Sequence, residues 1–156
     1  MSEVRYFEDI TIGEKQSYGH YAVTREEVLE FAAKYDPQPF HLSDEAAAKT
    51  HFGRLAASGW HSCAMAMAML VAQFKAVQHA GLGSPGIDEL RFVKPVYPGD
   101  TLRIESEVLE KARSRSRPEM GSYRSRIKLL NQDRVTVVRF IAIDLIRVRG
   151  DQATQA

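Results

Sequence analysis

The sequence predicts an α+β fold with helices gathered on one side of an antiparallel sheet. Three observations carry this. The stretch from Gly59 to about His79 has no Pro or Gly inside it and is rich in Ala, Met, Leu, Val and Gln, a strongly helical composition. Its first half, WHSCAMAMAML, is apolar nearly all round, which predicts a helix buried on most sides. The chain beyond it changes character: residues 86–94, 101–110, 122–130 and 134–148 carry strand patterns, separated by turn signals.

The elements follow in order. Residues 5–12 are mixed and predict an arm packed on the body. Residues 16–23, QSYGHYAV, combine aromatic and β-branched residues and predict a first strand. Thr24 is placed to cap a helix, and Glu27, three residues on, to complete a capping box. Val28, Phe31 and Ala32 give that helix an apolar face. It ends near Tyr35, because Pro37 and Pro39 cannot continue it. Ser43-Asp44-Glu45 starts a short helix to about Lys49, and a loop covers His51 to Ser58. The long helix runs from Gly59 to about His79, stopped by Gly81 and Gly83. Turns at Pro95, at Pro98-Gly99-Asp100 and at Asn131-Gln132-Asp133 separate the strands. In the last strand Phe140, Ala142 and Asp144 share one face, and Ile141, Ile143 and Leu145 the other. One face is expected to meet the helix and the other a partner.

Composition narrows the function classes. A chain of 156 residues, 44% hydrophobic and 26% charged, fits one domain over 1–156 with a core at about 6–148. A chain of this length buries a continuous core without disulfides. The net charge of +1 argues against general nucleic-acid binding. The single cysteine, Cys63, sits among Ala and Met and is expected as a small core residue. The first residues lack the apolar stretch of a signal peptide, and no run of about 18 apolar residues exists. The expectation is a cytoplasmic protein with no membrane partner.

The segment with chemical potential is Tyr35-Asp36-Pro37-Gln38-Pro39-Phe40-His41. Asp36 and His41 are five apart, an offset that a continuous helix would place on different faces. Two prolines stiffen the segment into an irregular loop leaving a helix. Such a loop can turn a carboxylate and an imidazole toward one point, where they can exchange protons with a substrate. An exposed Asp and a packed His in a plain turn fit the spacing as well. Downstream, Ala57-Ser58-Gly59-Trp60 leads into the long helix. Gly59 there lets backbone N–H groups approach a ligand, and a helix N-terminus suits a developing oxyanion. A tight turn into a helix accounts for Gly59 equally.

Taken in order, these pieces resemble the MaoC-like dehydratases and (R)-specific enoyl-CoA hydratases. Asp36-Pro37-Gln38-Pro39-Phe40-His41 is similar to that family's Asp-x-Asn-Pro-x-His motif. The resemblance continues through Phe52-Gly53-Arg54-Leu55-Ala56-Ala57-Ser58-Gly59 and through Arg91-Phe92-Val93-Lys94-Pro95-Val96-Tyr97-Pro98-Gly99-Asp100-Thr101-Leu102. It covers roughly residues 6–148. Two departures stand near the expected site: Gln38 replaces the family's usual Asn, and Ser58-Gly59 stands where the family often has His-Gly. The resemblance implies a single hotdog fold, a curved antiparallel sheet wrapped around a long central helix. It also implies addition or removal of water at the double bond of a 2-enoyl-CoA. Asp36 and His41 would be the catalytic dyad, with Gly59, Ser58 and Gln38 at the oxyanion and substrate-binding positions. No metal or redox cofactor is expected, and CoA enters as part of an acyl-thioester substrate.

Other functions compete. A hotdog thioesterase could use Asp36 at the thioester carbonyl, and a non-catalytic acyl-CoA binding module is kept open by Gln38 and Ser58. His20, His51, His61 and His79 show no metal-ligand spacing joined to a carboxylate. His79 is expected at the end of the long helix, against its dipole. Arg113, Arg115, Arg117, Arg124 and Arg126 surround Pro118 and Gly121, as either a solvated hairpin or a patch for CoA phosphates. An uncovered sheet edge and the apolar residues 135–146 lead us to expect a homodimer or larger homo-oligomer, with sites near the subunit boundary.

Overall fold

The structure is a computed structural model describing residues 3–150. Five strands, β1 (Lys15–Ala22), β2 (Gly81–Phe92), β3 (Thr101–Arg113), β4 (Met120–Leu130) and β5 (Thr136–Arg147), form one sheet. Their spatial order is β1-β3-β4-β5-β2, and every neighbouring pair is antiparallel. Three α-helices, α1 (Arg25–Tyr35), α2 (Asp44–Ala48) and α3 (Gly59–Ala76), lie between β1 and β2 in the sequence. Met1, Ser2 and residues 151–156 lie outside the described residues.

α3 is the organising element. It lies against β1, β3 and β5, strands spread over four positions of the sheet at about 4.8 Å each. A helix is about 10 Å across, so the sheet must curve around it to make those contacts. The core joins Met65, Ala66, Met69 and Leu70 of α3 to Leu102, Ile104, Ile127, Leu129, Val138 and Phe140 of the sheet. Full burial of each large side chain is worth roughly 1.5–3 kcal/mol. This is the α+β hotdog arrangement expected from the sequence.

Burial of α3 is one-sided within a single chain, however, where burial on most sides was expected. Trp60 and Met67 stand 60% and 49% exposed, and Val71 is also exposed. Its small residues allow close approach on every side, but one sheet can cover only one face.

The end of α3 differs from expectation too. The helix stops at Ala76, and Gly81 and Gly83 belong to β2. Gln78 adopts a left-handed φ of 51°, and the N-terminal arm then captures the chain: Arg5 N–H donates to the Gln78 carbonyl (3.1 Å) and Ala80 N–H to the Arg5 carbonyl (2.9 Å). This long-range pairing leaves no local signal. His79 therefore lies beyond the helix, with Nε2 2.6 Å from the Tyr123 hydroxyl. The capping box is half formed: Thr24 accepts from Glu27 N–H, but the Glu27 carboxylate turns away to the Tyr21 hydroxyl and to His61.

The turn before β3 is as the sequence requires. Asp100 N–H donates to the Tyr97 carbonyl (3.0 Å), and Gly99 takes φ 96°, the left-handed position that follows Pro in a type II turn. This turn fixes the connection from β2 to β3, which forms one wall of the site.

Candidate functional site

Asp36 is the residue at which α1 ends: its N–H still bonds the Ala32 carbonyl (2.9 Å), but its backbone has left helical geometry. Gln38 N–H then donates to the Asp36 carbonyl (2.8 Å), and His41 N–H to the Gln38 carbonyl (2.9 Å). Residues Pro39–His41 make one 3-10 turn, so the prolines shape the loop as proposed from the sequence. It brings His41 Nε2 to 3.5 Å from Asp36 Oδ2.

Both groups are anchored from behind. His41 is 5% exposed, packed by the rings of Phe40 and Phe52. Its Nδ1 lies 2.7 Å from the Ala56 carbonyl. A carbonyl only accepts, so Nδ1 carries the hydrogen, and Nε2 of the neutral ring is an acceptor facing Asp36. Asp36 Oδ2 accepts from the Ser58 hydroxyl (2.7 Å), and Oδ1 from the Gln38 amide (2.7 Å). Burial works to raise the Asp36 pKa, but the hydrogen bonds from Ser58 and Gln38 oppose it, and the carboxyl is held below its ordinary value.

Ser58 is fully buried and caps α3, its oxygen accepting from Trp60 N–H (3.3 Å). The Gly59 N–H belongs to the first turn of α3, where no intrahelical carbonyl is available to it. A Cβ on Gly59 would fall 2.7 Å from the Phe92 ring, so only glycine lets that ring lie against the start of the helix. The sequence-predicted residues Asp36, Gln38, His41, Ser58 and Gly59 thus converge. Asp36, Gln38, His41 and Gly59 line a cleft of about 440 Å³ together with His51, Phe52, Trp60, Ser62, Phe92 and residues 93–96.

A wall holding a fixed carboxylate, an imidazole acceptor and a helix N-terminus can take protons from a bound molecule and stabilise negative charge on it. Sequence reasoning gave no role to Trp60, next to Gly59, or to His51, Phe92 and Lys94, which reach the cleft from other segments. It also missed a second polar cluster, in which Glu27 accepts from Tyr21 and faces His61 Nε2 at 3.3 Å. Burial lowers the His61 pKa against the pull of Glu27. His20 lies in β1 and His51 in a turn, as expected. Cys63 is half-buried against the core. Arg124 pairs with Asp88 and Glu110, and Arg126 with Glu107, so these two arginines of the β3–β4 hairpin already have counter-charges. Among the described residues, no helix is long and apolar enough to cross a membrane.

Fold and cleft together define a hotdog protein with its candidate site at the N-terminus of the central helix. The sequence signature described as the MaoC like domain matches residues 8–128, and the chain belongs to that family. The MaoC-like dehydratase from Rhodospirillum rubrum superposes with a TM-score of 0.84 at 35% identity, covering 94% of this chain and 99% of that one. An (R)-hydratase of Pseudomonas aeruginosa superposes with a TM-score of 0.70 at 28% identity, over 93% of this chain and 86% of that one. A 3-hydroxybutyryl-CoA dehydratase of Methylorubrum extorquens is 31% identical over 120 residues, 76% of this chain and 73% of that protein.

Proposed function

We propose that this protein is a hydro-lyase that adds water across the double bond of a 2-enoyl-CoA, or removes it from the 3-hydroxyacyl product, with Asp36 and His41 as its catalytic dyad. The observation that carries this is the pairing of two acceptors, Asp36 Oδ2 and His41 Nε2, 3.5 Å apart on the cleft wall. A water molecule between them donates one hydrogen to each and turns its lone pair outward. Its oxygen bonds to C3 of the enoyl group while the dyad takes a proton, and the dyad returns a proton to C2. The electron pair displaced from the double bond gathers on the thioester oxygen, where the Gly59 N–H donates to it. Ser58 and Gln38 hold Asp36 ionised and in place. A positioned acid/base pair contributes roughly 10²–10⁴-fold, and one oxyanion donor about 10²–10³-fold.

The working unit in this reading is a homodimer. β2 is an edge strand whose residues are nearly all exposed, and Trp60 and Met67 of α3 and Phe92 of β2 form an uncovered apolar surface beside the cleft. A second copy would cover both and close the site.

The test is a spectrophotometric assay over 2-enoyl-CoA thioesters of increasing chain length, with free thiol measured in parallel. Loss of the conjugated double bond without thiol release is expected. Thiol release instead would mean a thioesterase, and binding without either reaction would mean a binding module.

A further inference from the structure

We infer that Lys94 is the anchor for a phosphate group on the carrier arm of the substrate. The inference rests on the thioester reading above and names the part of the substrate that reading leaves without a partner. Among the residues lining the cleft, Asp36 is the single carboxylate, and it is already engaged by Ser58 and Gln38. Lys94 lines the same cleft, is exposed, and forms no ion pair among the described residues.

The backbone that carries Lys94 is fixed. The N–H groups of Val93 and Lys94 both donate to the Val137 carbonyl, at 2.8 and 3.1 Å, and Pro95 restricts Lys94 to extended conformations. Arg54 approaches from the opposite segment. Its guanidinium lies 3.9 Å above the Tyr97 ring centroid, and the Tyr97 hydroxyl donates to the Phe52 carbonyl (2.6 Å). Phe52 and Val96 line the cleft, whereas Arg54 lies within electrostatic reach of the Asp44 carboxylate, so Lys94 is the cation that faces the cleft.

The cleft is chemically divided. Phe92, Trp60 and Val138 give it an apolar wall, suited to an acyl chain, while Lys94 adds an exposed positive charge with no ion-pair partner among the described residues. A phosphate on the other end of the thioester meets both requirements, because cations without counter-charges bind phosphate oxygens through charge-assisted hydrogen bonds. Two carriers share this chemistry: the phosphates of a CoA thioester, and the single phosphodiester of a phosphopantetheine arm.

The experiment compares three 2-enoyl thioesters of one chain length: the CoA ester, the 4′-phosphopantetheine ester and the pantetheine ester, which has no phosphate. Wild type, Lys94→Gln and Lys94→Arg are assayed on each. Lys94→Gln is expected to raise KM for the CoA ester about fivefold or more at unchanged kcat, with less than about a twofold change for the pantetheine ester. Lys94→Arg should restore most of the loss. A parallel rise for the phosphopantetheine ester assigns the contact to the phosphate nearest the pantetheine; a rise for the CoA ester alone assigns it to the nucleotide phosphates. Equal effects on all three esters, or none on any, would overturn the inference. Binding of CoA itself, measured by calorimetry, separates this from the hydratase reading. If wild type turns over none of the esters, the hydratase reading fails, while a weaker Kd in Lys94→Gln still supports the phosphate contact and an unchanged Kd overturns it.

Discussion

Ser58 links two pieces of the site. Its oxygen accepts from Trp60 N–H at the start of α3, and its hydrogen goes to Asp36 Oδ2. Replacing it by Ala removes one of the bonds that lower the Asp36 pKa, so that pKa should rise toward the ordinary carboxylate value. The sign follows: under the proposed mechanism the rate needs ionised Asp36 and fails as pH falls through its pKa. In Ser58→Ala the acid limb of the pH–rate profile should therefore move to higher pH, and an unmoved limb with a uniformly lower rate would show that Ser58 only caps the helix. Loss of the cap alone costs about 1 kcal/mol. At this scale the sequence was legible where partners are close along the chain. Asp36, Gln38 and His41 lie within six residues, and the prolines between them dictate a loop. The Ser58–Asp36 bond spans 22 residues and the Lys94 side of the cleft lies further still, so tertiary packing decides both and no local pattern announces them.

Among the elements, β5 carries the least expected feature. Its inner face runs Val138, Phe140, Ala142 and then Asp144, opposite Tyr123 on β4. Asp144 lines a small cavity of about 40 Å³ with Tyr18, His79, Tyr123, Ser106 and Ser125. Burial raises its pKa to about 6 and lowers that of His79 to about 4. A carboxyl whose folded pKa lies above its unfolded value favours the native state only while protonated. The native state therefore loses stability as pH rises from about 4 through about 6, by at most roughly 3 kcal/mol. Asp144→Asn should match wild type near pH 4 and exceed it in thermal stability near pH 8. Equal melting temperatures across that range would show that hydrogen bonds or water in the cavity compensate the charge. The alternation of β5 was readable from its sequence, as were α1 and the turn at Gly99. The end of α3 was not, because the arm around Arg5 sets it. The second half of the capping box was lost for a related reason: Glu27 finds Tyr21 and His61 only once α1 packs on α3.

For the whole molecule, the order of layers was legible and the burial of α3 was not. Sequence shows that the first half of the helix is apolar nearly all round, yet one curved sheet covers a single face, leaving Trp60, Met67 and Val71 outward. In the proposed dimer a second copy would cover this apolar surface and the open strand edge. Light scattering at micromolar concentration should give a dimer or a larger closed assembly, and Trp60→Glu should weaken it. A stable, active monomer would contradict this reading. Both dyad residues come from one chain, so mixed dimers of wild type with Asp36→Asn should keep about half the activity of wild type.

The account turns on whether the Asp36–His41 pair moves the protons. The direct measurement is the hydration rate of a short 2-enoyl-CoA by Asp36→Asn and His41→Ala, with folding checked by circular dichroism. Each variant should fold as wild type and lose at least about 10²-fold in kcat; a near-wild-type rate in either folded variant would contradict the assignment.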